Sequence, residues 1–421
     1  MNAINSGADF YVIGGGVIGL CAALQLQSQG QSVAILEADK VAAGASFGNA
    51  GHLATEQVFA IADFGIIKQL PAMLFDPLGA LRIDWTYLPK LLPWAMKLLL
   101  SMKKEPSQKI HAALKQINGV SLAAWQDFSH KWGLANWVFA KGSLLVAESE
   151  SSLLSLRQHG KKLAALGVAN TFITQHELLA REPALAKNQL GALFFPDTGH
   201  VGNLSAMYKA LIGHFIGMGG VIYEGCKVWR IYNERQFVRL ITTQGEIMAP
   251  NILISAGAFS KSLVAQATGV EVPLDTERGY HLMLPNEHNR LHIPVTSMDR
   301  RFIMTPMHSG LRLAGTVEFA GLKKPPNMQR AYNLLKLANP MFNQDLDSSQ
   351  STPWMGFRPS TADSLPVIDK IGRVYLNFGH QHLGLTQAVV SGQIISDLHF
   401  GRPTAIDCTA YKLERFGQPL K

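Results

Sequence analysis

Cysteine is scarce in this 421-residue chain, where only Cys21, Cys226 and Cys408 occur, far apart. Without a CxxC pair or a closely spaced set, haem attachment, iron–sulfur ligation and a disulfide framework are excluded, and no metal site is expected. Charged residues are also few, 16% against 47% hydrophobic, so extensive disorder is not expected and a large buried core is. No apolar run reaches the roughly 20 uninterrupted residues of a spanning helix. The N-terminus has no basic segment leading into an apolar one; its polar residues pass at once into a strand, which argues against a cleaved leader. A dense basic–aromatic stripe is missing too, so no nucleic-acid partner is expected despite a net charge of +8 and a pI near 9.3. The positive balance points instead to small anions or a membrane surface. These features read as a reduced, cytoplasmic protein, with a peripheral place on the inner face of the membrane as an extension of that reading.

Against these gaps, the first forty residues are dense in signal. The strand Phe10–Ile13 runs into Gly14-Gly15-Gly16-Val17-Ile18-Gly19 and a helix, and a second apolar strand, Val33–Leu36, ends in Glu37. Strand, glycine turn, helix and acidic tip in that order form the dinucleotide-binding fingerprint in its required context. Gly14 serves the tight turn, Gly16 the approach to a pyrophosphate, and Gly19 the close packing of helix on strand. Val17 and Ile18 carry the helix N-terminus that faces the phosphates. Glu37 is placed to accept from ribose hydroxyls.

A second glycine-rich run, Gly44 to Gly51, follows. A nicotinamide enzyme rarely needs one; a flavin dinucleotide does, because its longer pyrophosphate and ribityl chain must be cradled by backbone N–H groups and small hydroxyls. Ala45, Ser46, Asn49, Ala50 and Gly51 are the expected contacts, and a flexible interdomain loop is the alternative. Later, Ile252-Leu253-Ile254-Ser255-Ala256-Gly257 reads as a strand returning to the pyrophosphate, with Ala256 and Gly257 small enough to avoid the cofactor. Val228 is the expected backbone contact for adenine. The strand Val374–Asn377, the turn at Gly379 and a helix beginning around Leu383, Gly384, Leu385 and Thr386 repeat the strand–turn–helix logic, so a second helix dipole faces a developing anion.

Between these blocks, alternating stretches at Arg278–Leu284, Arg301–Met304 and Leu311–Thr316 predict antiparallel strands. The segment from Phe64 to Lys104 is the chief shift in composition. Within 85–104, Trp, Tyr and Leu residues flanked by lysines fit a helix lying among lipid headgroups; a buried helical hairpin between domains fits as well.

Taken together, Gly14–Gly19 with Glu37, Gly44–Gly51, Ile254–Ala258, Arg278-Gly279-Tyr280, Gly315–Phe319, Trp354–Ile368 and Gly379-His380 through Thr386 resemble the flavin-dependent D-amino-acid dehydrogenase and glycine oxidase group of the D-amino-acid oxidase-like superfamily. The resemblance covers nearly the whole chain, and the Trp354–Ile368 block is its most specific stretch. It implies an α/β fold: a Rossmann-like FAD-binding domain, with the parallel sheet of a glutathione-reductase-type nucleotide fold, plus a discontinuous α+β substrate domain with a large antiparallel sheet. The expected division is 1–60, 200–272 and 350–421 for FAD binding, and 61–199 and 273–349 for substrate. It further implies FAD as cofactor and oxidation of a carbon–nitrogen bond in a small amino-acid substrate by hydride transfer to flavin N5. The substrate would be a D-amino acid or a cyclic secondary amine acid such as a proline derivative.

Gly48 stands where some relatives carry a flavin-linked histidine, which implies non-covalent FAD. Arg278 replaces a family lysine and Met307 a carboxylate-binding arginine, so the substrate need not be D-alanine or glycine. Arg358 is the first candidate for gripping a substrate carboxylate, because a guanidinium presents a fork of donors; an ion pair or a cofactor contact is its alternative. Tyr280 is a second donor candidate, or else a core aromatic. Arg278 and Arg301 are weaker ones. His52 and His382 follow flavin-adjacent loops and are candidates for touching substrate or tuning its amine; both also fit as structural histidines. His281 would fall on the strand face opposite Tyr280. The electron acceptor, quinone or oxygen, stays open. So do a 2-hydroxy-acid or glycerol-phosphate dehydrogenase and a non-catalytic FAD subunit, which share the fold.

Overall fold

The computed structural model describes residues 7–60, 73, 74, 76 and 78–419. Residues 61–72, 75 and 77, which include the first part of the 64–104 segment, lie outside the described residues.

Four short strands are apolar or nearly so from end to end: Phe10–Ile13, Val33–Leu36, Ile252–Ile254 and Val374–Phe378. Such strands have no solvent face and suit a sheet covered on both sides. They form the centre of a six-stranded sheet in the order Val221–Tyr223, Val33–Leu36, Phe10–Ile13, Ile252–Ile254, Val374–Phe378, Val367–Ile371. All neighbours are parallel except the last pair. One face (Phe10, Val12, Val33, Ile35, Leu253) packs on the helices Val17–Gln27, Leu204–Gly217 and Gly384–Phe400. The other (Tyr11, Ile13, Ala34, Leu36, Ile252, Ile254) packs on a three-stranded meander, Val228–Asn233, Val238–Thr242 and Gly245–Ala249, and on the helix Ser260–Thr268. Helices 17–27 and 384–400 meet closely, since a Cβ at Gly392 would lie 3.0 Å from Ala22 N.

The second sheet has nine strands. Thr352–Thr361, Leu274–Leu284, Gly310–Phe319 and Phe302–Met307 run antiparallel in that order. The sheet is mixed rather than wholly antiparallel: Val295–Ser297 joins Ser143–Ala147 in parallel, and Leu81–Ile83 joins Gly310–Phe319 in parallel. Strand Thr352–Thr361 belongs to it, so the sheet reaches beyond residue 349 and the chain crosses to the nucleotide sheet only at Val367.

The helix Leu88–Ser101 has one buried and one exposed face. Leu91 and Trp94 are buried against Phe319 and Ala362, and the Trp94 indole N–H donates to Ser360 O at 2.9 Å. Trp94, 6% exposed, is therefore a packing residue and not a lipid anchor. The opposite face leaves Leu92, Met96, Leu99 and Leu100 exposed, with Trp85 just before the helix. Among the described residues no helix is long and apolar enough to cross a membrane.

Candidate active site

The first glycine turn is built from backbone approach. Gly14 has φ +105°, and a Cβ there would lie 2.6 Å from Ser255 O. A Cβ on Gly19 would collide with Gly14 O, so only glycine lets the helix sit this close to the turn. The helix starts after Gly16, which has no side chain to cap it, so that first-turn N–H groups beyond Val17 are left for an anion. Ser46 Oγ accepts from Val17 N at 2.9 Å and so joins the second glycine-rich run to this helix start. Glu37 accepts from Gly15 N at 2.7 Å and Asp39 N at 3.0 Å, which fixes its carboxylate at the mouth of the turn. Cys226 N donates to Glu37 O, bringing Val228 beside the same mouth. Ser255 Oγ donates to the carbonyls of Ile13 and Gly14 at 3.1 Å, clamping the Ala256-Gly257 turn onto the glycine turn. Sequence reasoning passed over Ser255, although its place between strand and Ala-Gly turn was a usable signal.

The second run is not a flexible linker. Tyr208 Oη donates to Ser46 O at 3.1 Å, His281 Nδ1 lies 2.9 Å from Gly48 O, and Arg312 Nη1 donates to Asn49 O. Asn49 Oδ1 caps the bend by accepting from Gly51 N at 2.8 Å. Arg312 and Tyr208 were missed because each lies more than a hundred residues from the loop it holds. A Cβ on Gly48 would enter the Trp354 ring, which stacks on His281 at 5.0 Å, so no histidine fits at this position.

A third turn closes the cradle. Gly379 and Gln381 take positive φ, and Leu383 leads into the helix Gly384–Phe400, again without a side-chain cap. Thr386 Oγ1 accepts from Ala54 N at 2.9 Å and Leu385 O accepts from Trp125 Nε1 at 2.8 Å, so these two residues anchor the helix start while its leading N–H groups stay directed outward. Two uncapped helix starts joined by small-residue turns fit a long dinucleotide with an anionic middle.

Over this cradle lies strand 274–284, paired with 352–361. Glu277 faces Arg358, Gly279 faces Gly356 and His281 faces Trp354. Residues opposite one another share a face, so these six point one way and Tyr280 points the other. Tyr280 is a correction. It is buried, its hydroxyl donates to Glu318 at 2.6 Å and accepts from Asn327 N at 3.2 Å, and its pKa is pushed up to about 12 by burial. Arg278 shares that rear face, paired with Glu318 at 3.5 Å and donating to Gly321 O and Lys324 O. Arg301 lies in an exposed turn.

Arg358 sits on the front face. Its guanidinium lies over Gly279, where any Cβ would collide with it, and Nη1 donates to Thr316 O at 2.9 Å. That carbonyl is presented by a bulge in which Thr316 takes φ +61°, a conformation costing a β-branched residue about 1–3 kcal/mol. Burial lowers the guanidinium pKa, and the neighbouring Glu277 carboxylate opposes that shift. Met307 packs on the second glycine run, its Cε 2.8 Å from where a Gly51 Cβ would be.

His382 is an exposed residue whose ring lies close against protein; that desolvation, with Arg358 and His52 adding to it, lowers its pKa from the ordinary value. Arg358, His382 and His52 are thus brought together, and Tyr280 is not among them. His52 is held at about 4 by burial, and His200, directly across the strand pair, at about 3. Glu56 Oε2 lies 3.9 Å from His52 Nε2. Glu56 and His200 were missed because nothing local distinguishes them.

The sequence profile of the family described as DAO, FAD dependent oxidoreductase, matches residues 9–398. The chain belongs to this family of FAD-dependent oxidoreductases. FAD is therefore its cofactor and redox chemistry its reaction class. It is 31% identical to a D-amino-acid oxidase of Bradyrhizobium diazoefficiens, over 97% of this chain and 99% of that one. It is 28% identical to a D-amino acid dehydrogenase of Vibrio atlanticus, over 97% and 100%. Its fold matches the crystal structure of glycine oxidase from Geobacillus kaustophilus with a TM-score of 0.75 at 22% identity, covering 97% of this chain and 98% of that one.

Proposed function

We propose that this family member oxidises the C–N bond of an amino acid, either a D-amino acid or a cyclic secondary amine acid, giving an imine or oxo acid. The observation that carries the reading is Arg358, a half-buried arginine on the face above the cradle with one donor spent on Thr316 O. Its planar fork suits a carboxylate, and His382 and His52 stand beside it as neutral imidazoles. FAD, when bound, supplies the two-electron acceptor. The chain's own contribution is to hold the carboxylate at Arg358, and so to orient the α-carbon, and to keep neutral hydrogen-bonding groups near the nitrogen. Close packing at Gly48 supports non-covalent FAD. We retain the division into 1–60, 200–272 and 350–421 for cofactor and 61–199 and 273–349 for substrate, with Thr352–Thr361 contributing Arg358 from the first group to the second sheet. The test is anaerobic mixing of the yellow holoenzyme with D-proline, D-alanine and 2-hydroxyglutarate. Bleaching by an amine acid is expected; bleaching by the hydroxy acid alone sinks the reading.

The same proposal extends to electron delivery. The outer face of Leu88–Ser101 carries Leu92, Met96 (63% exposed), Leu99 and Leu100, bordered by Lys90, Lys97, Lys103 and Lys104. An apolar stripe edged by lysines suits the surface of an anionic bilayer on the cytoplasmic side, with a membrane quinone as acceptor. Flotation with vesicles containing phosphatidylglycerol should carry the protein up, and Leu99→Glu with Leu100→Glu should leave it at the bottom. Equal flotation of both proteins ends the idea.

A further inference from the structure

We propose that Glu56, together with His52, forms the seat that receives the substrate's ammonium group and takes one proton from it before oxidation. The inference rests on the amine-oxidation reading above and adds the residue that makes the nitrogen lone pair available.

Three buried polar atoms have no hydrogen-bond partner among the described residues: Glu56 Oε2 and His52 Nε2, which lie 3.9 Å apart, and Nδ1 of His200, the residue across the strand pair from His52. The other Glu56 oxygen accepts from Gln57 Nε2 at 3.2 Å. An unsatisfied buried polar atom costs about 1–3 kcal/mol, so such a group persists where a ligand completes it. The trio is held from several sides. Ala54 N is tied to Thr386 Oγ1, Thr55 Oγ1 donates to Asp197 O, and Asn118 Nδ2 donates to Gln57 O while accepting from Gln387 Nε2. Segment 52–57 is thus locked to strand 199–201, helix 104–131 and helix 384–400, the last of which opens beside the cofactor cradle.

The chemistry of the gap selects its occupant. A carboxylate oxygen and an imidazole nitrogen 3.9 Å apart are two acceptors when His52 carries its proton on Nδ1. An ammonium seated against both atoms, with the two side chains parting to admit it, donates to each. The charged and titratable groups around the pair are His200 on the facing strand, with Lys141 and His308 beyond it, and His382 and Arg358 on the cofactor side. Arg358 would take the carboxylate end of a zwitterion and Glu56 the ammonium end.

The proton step balances simply. One N–H bond of the substrate ammonium breaks, one O–H bond forms at Glu56 Oε2, and the electron pair stays on nitrogen. Burial raises the Glu56 carboxyl to about 7, against which its Gln57 and backbone contacts work. A base tuned near neutrality accepts protons efficiently above that pH and is already protonated below it.

The test is rapid-mixing flavin reduction on the holoenzyme from pH 5.5 to 10, using whichever of D-proline and D-alanine reduces faster. Wild type, Glu56→Gln and Glu56→Asp are compared, with benzoate binding read from the flavin spectrum as a carboxylate-only control. Wild type should show a limb with an apparent pKa near 7. Glu56→Gln should lose that limb and reduce on the order of 100-fold slower at pH 8, converging on wild type near pH 10 as the amine deprotonates in solution. Glu56→Asp should recover part of the rate, and benzoate affinity should stay within about two-fold. An unchanged pH profile in Glu56→Gln overturns the proposal and leaves amine oxidation standing. Parallel loss of benzoate binding and reduction at every pH also overturns it, making Glu56 a packing residue. Bleaching by 2-hydroxyglutarate but by neither amino acid removes the amine reading, and this inference with it.

Discussion

The cofactor cradle and the sheet face above it solve opposite problems. Around Gly14, Gly19, Ser255 and Ala256 the structure works by closeness: backbone meets backbone, and side chains are mostly absent or small. On the face carrying Glu277, His281, Trp354 and Arg358 it works by burying large polar groups against one another. The first arrangement tolerates almost no added atom. The second is built from side chains rather than backbone, so it is where specificity can be retuned without dismantling the fold.

The largest effect separating the two regions is expected from Gly14→Ala. At φ +105°, with a Cβ 2.6 Å from a backbone oxygen, the clash cannot be relieved by a side-chain rotation. The purified protein should be nearly colourless and less stable by at least about 1 kcal/mol. A protein that stays fully yellow would show that the cradle is looser than its geometry. The matching change on the sheet face, Gly279→Ala, meets only the flexible end of Arg358. Flavin content should hold, while KM for the amino acid rises about 10- to 100-fold as the guanidinium is displaced. Loss of flavin instead of affinity would dissolve the distinction.

Protonation sharpens it further. His200, His281 and His380 are buried and held at about 3 against an ordinary 6.5, chiefly by burial. Between those values the unfolded chain binds more protons than the folded one. Their contribution is therefore complete above pH 6.5 and lost as pH falls toward 3. Melting of the protein should drop on the order of 5 °C between pH 7 and 5. A flat profile would mean that these rings ionise freely in the folded state. The smallest effect on substrate handling belongs to Tyr280→Phe. Removing the hydroxyl strips Glu318 and Asn327 N of a partner, costing about 1–3 kcal/mol, yet KM should stay within about two-fold because the ring faces away from Arg358. A large rise in KM would return Tyr280 to the substrate site.

The contrast in legibility follows the same line. Gly14–Gly19, Glu37, Ser46, Ala256 and Gly379–Thr386 could be singled out because they sit at turns and helix starts, in a strand–turn–helix order that a local pattern preserves. Arg358 was reachable only through the specificity of its block, and His52 and His382 only through their closeness to glycine loops. Tyr280 misled because an aromatic with a hydroxyl looks alike on either face of a strand, and the bulge at Thr316 that sets the register carries no warning in sequence. The lysine-edged segment was ambiguous for a physical reason: Trp94 and Leu99 read alike as apolar residues, yet one is tucked beneath Phe319 and the other faces out.

Sequence alone determined that this chain cradles a dinucleotide with an anionic middle, because chain direction, glycine placement and an acidic strand tip act over a few residues and need no partner from afar. Only tertiary structure decided what stands over that cradle. Which face Arg358 shares with Glu277, how Arg312 and His281 reach the second glycine run, and how His200 comes to lie across from His52 depend on strand register and on contacts between residues far apart in the chain. A shift of one residue in any of those pairings would turn the same side chains to the opposite side of the sheet.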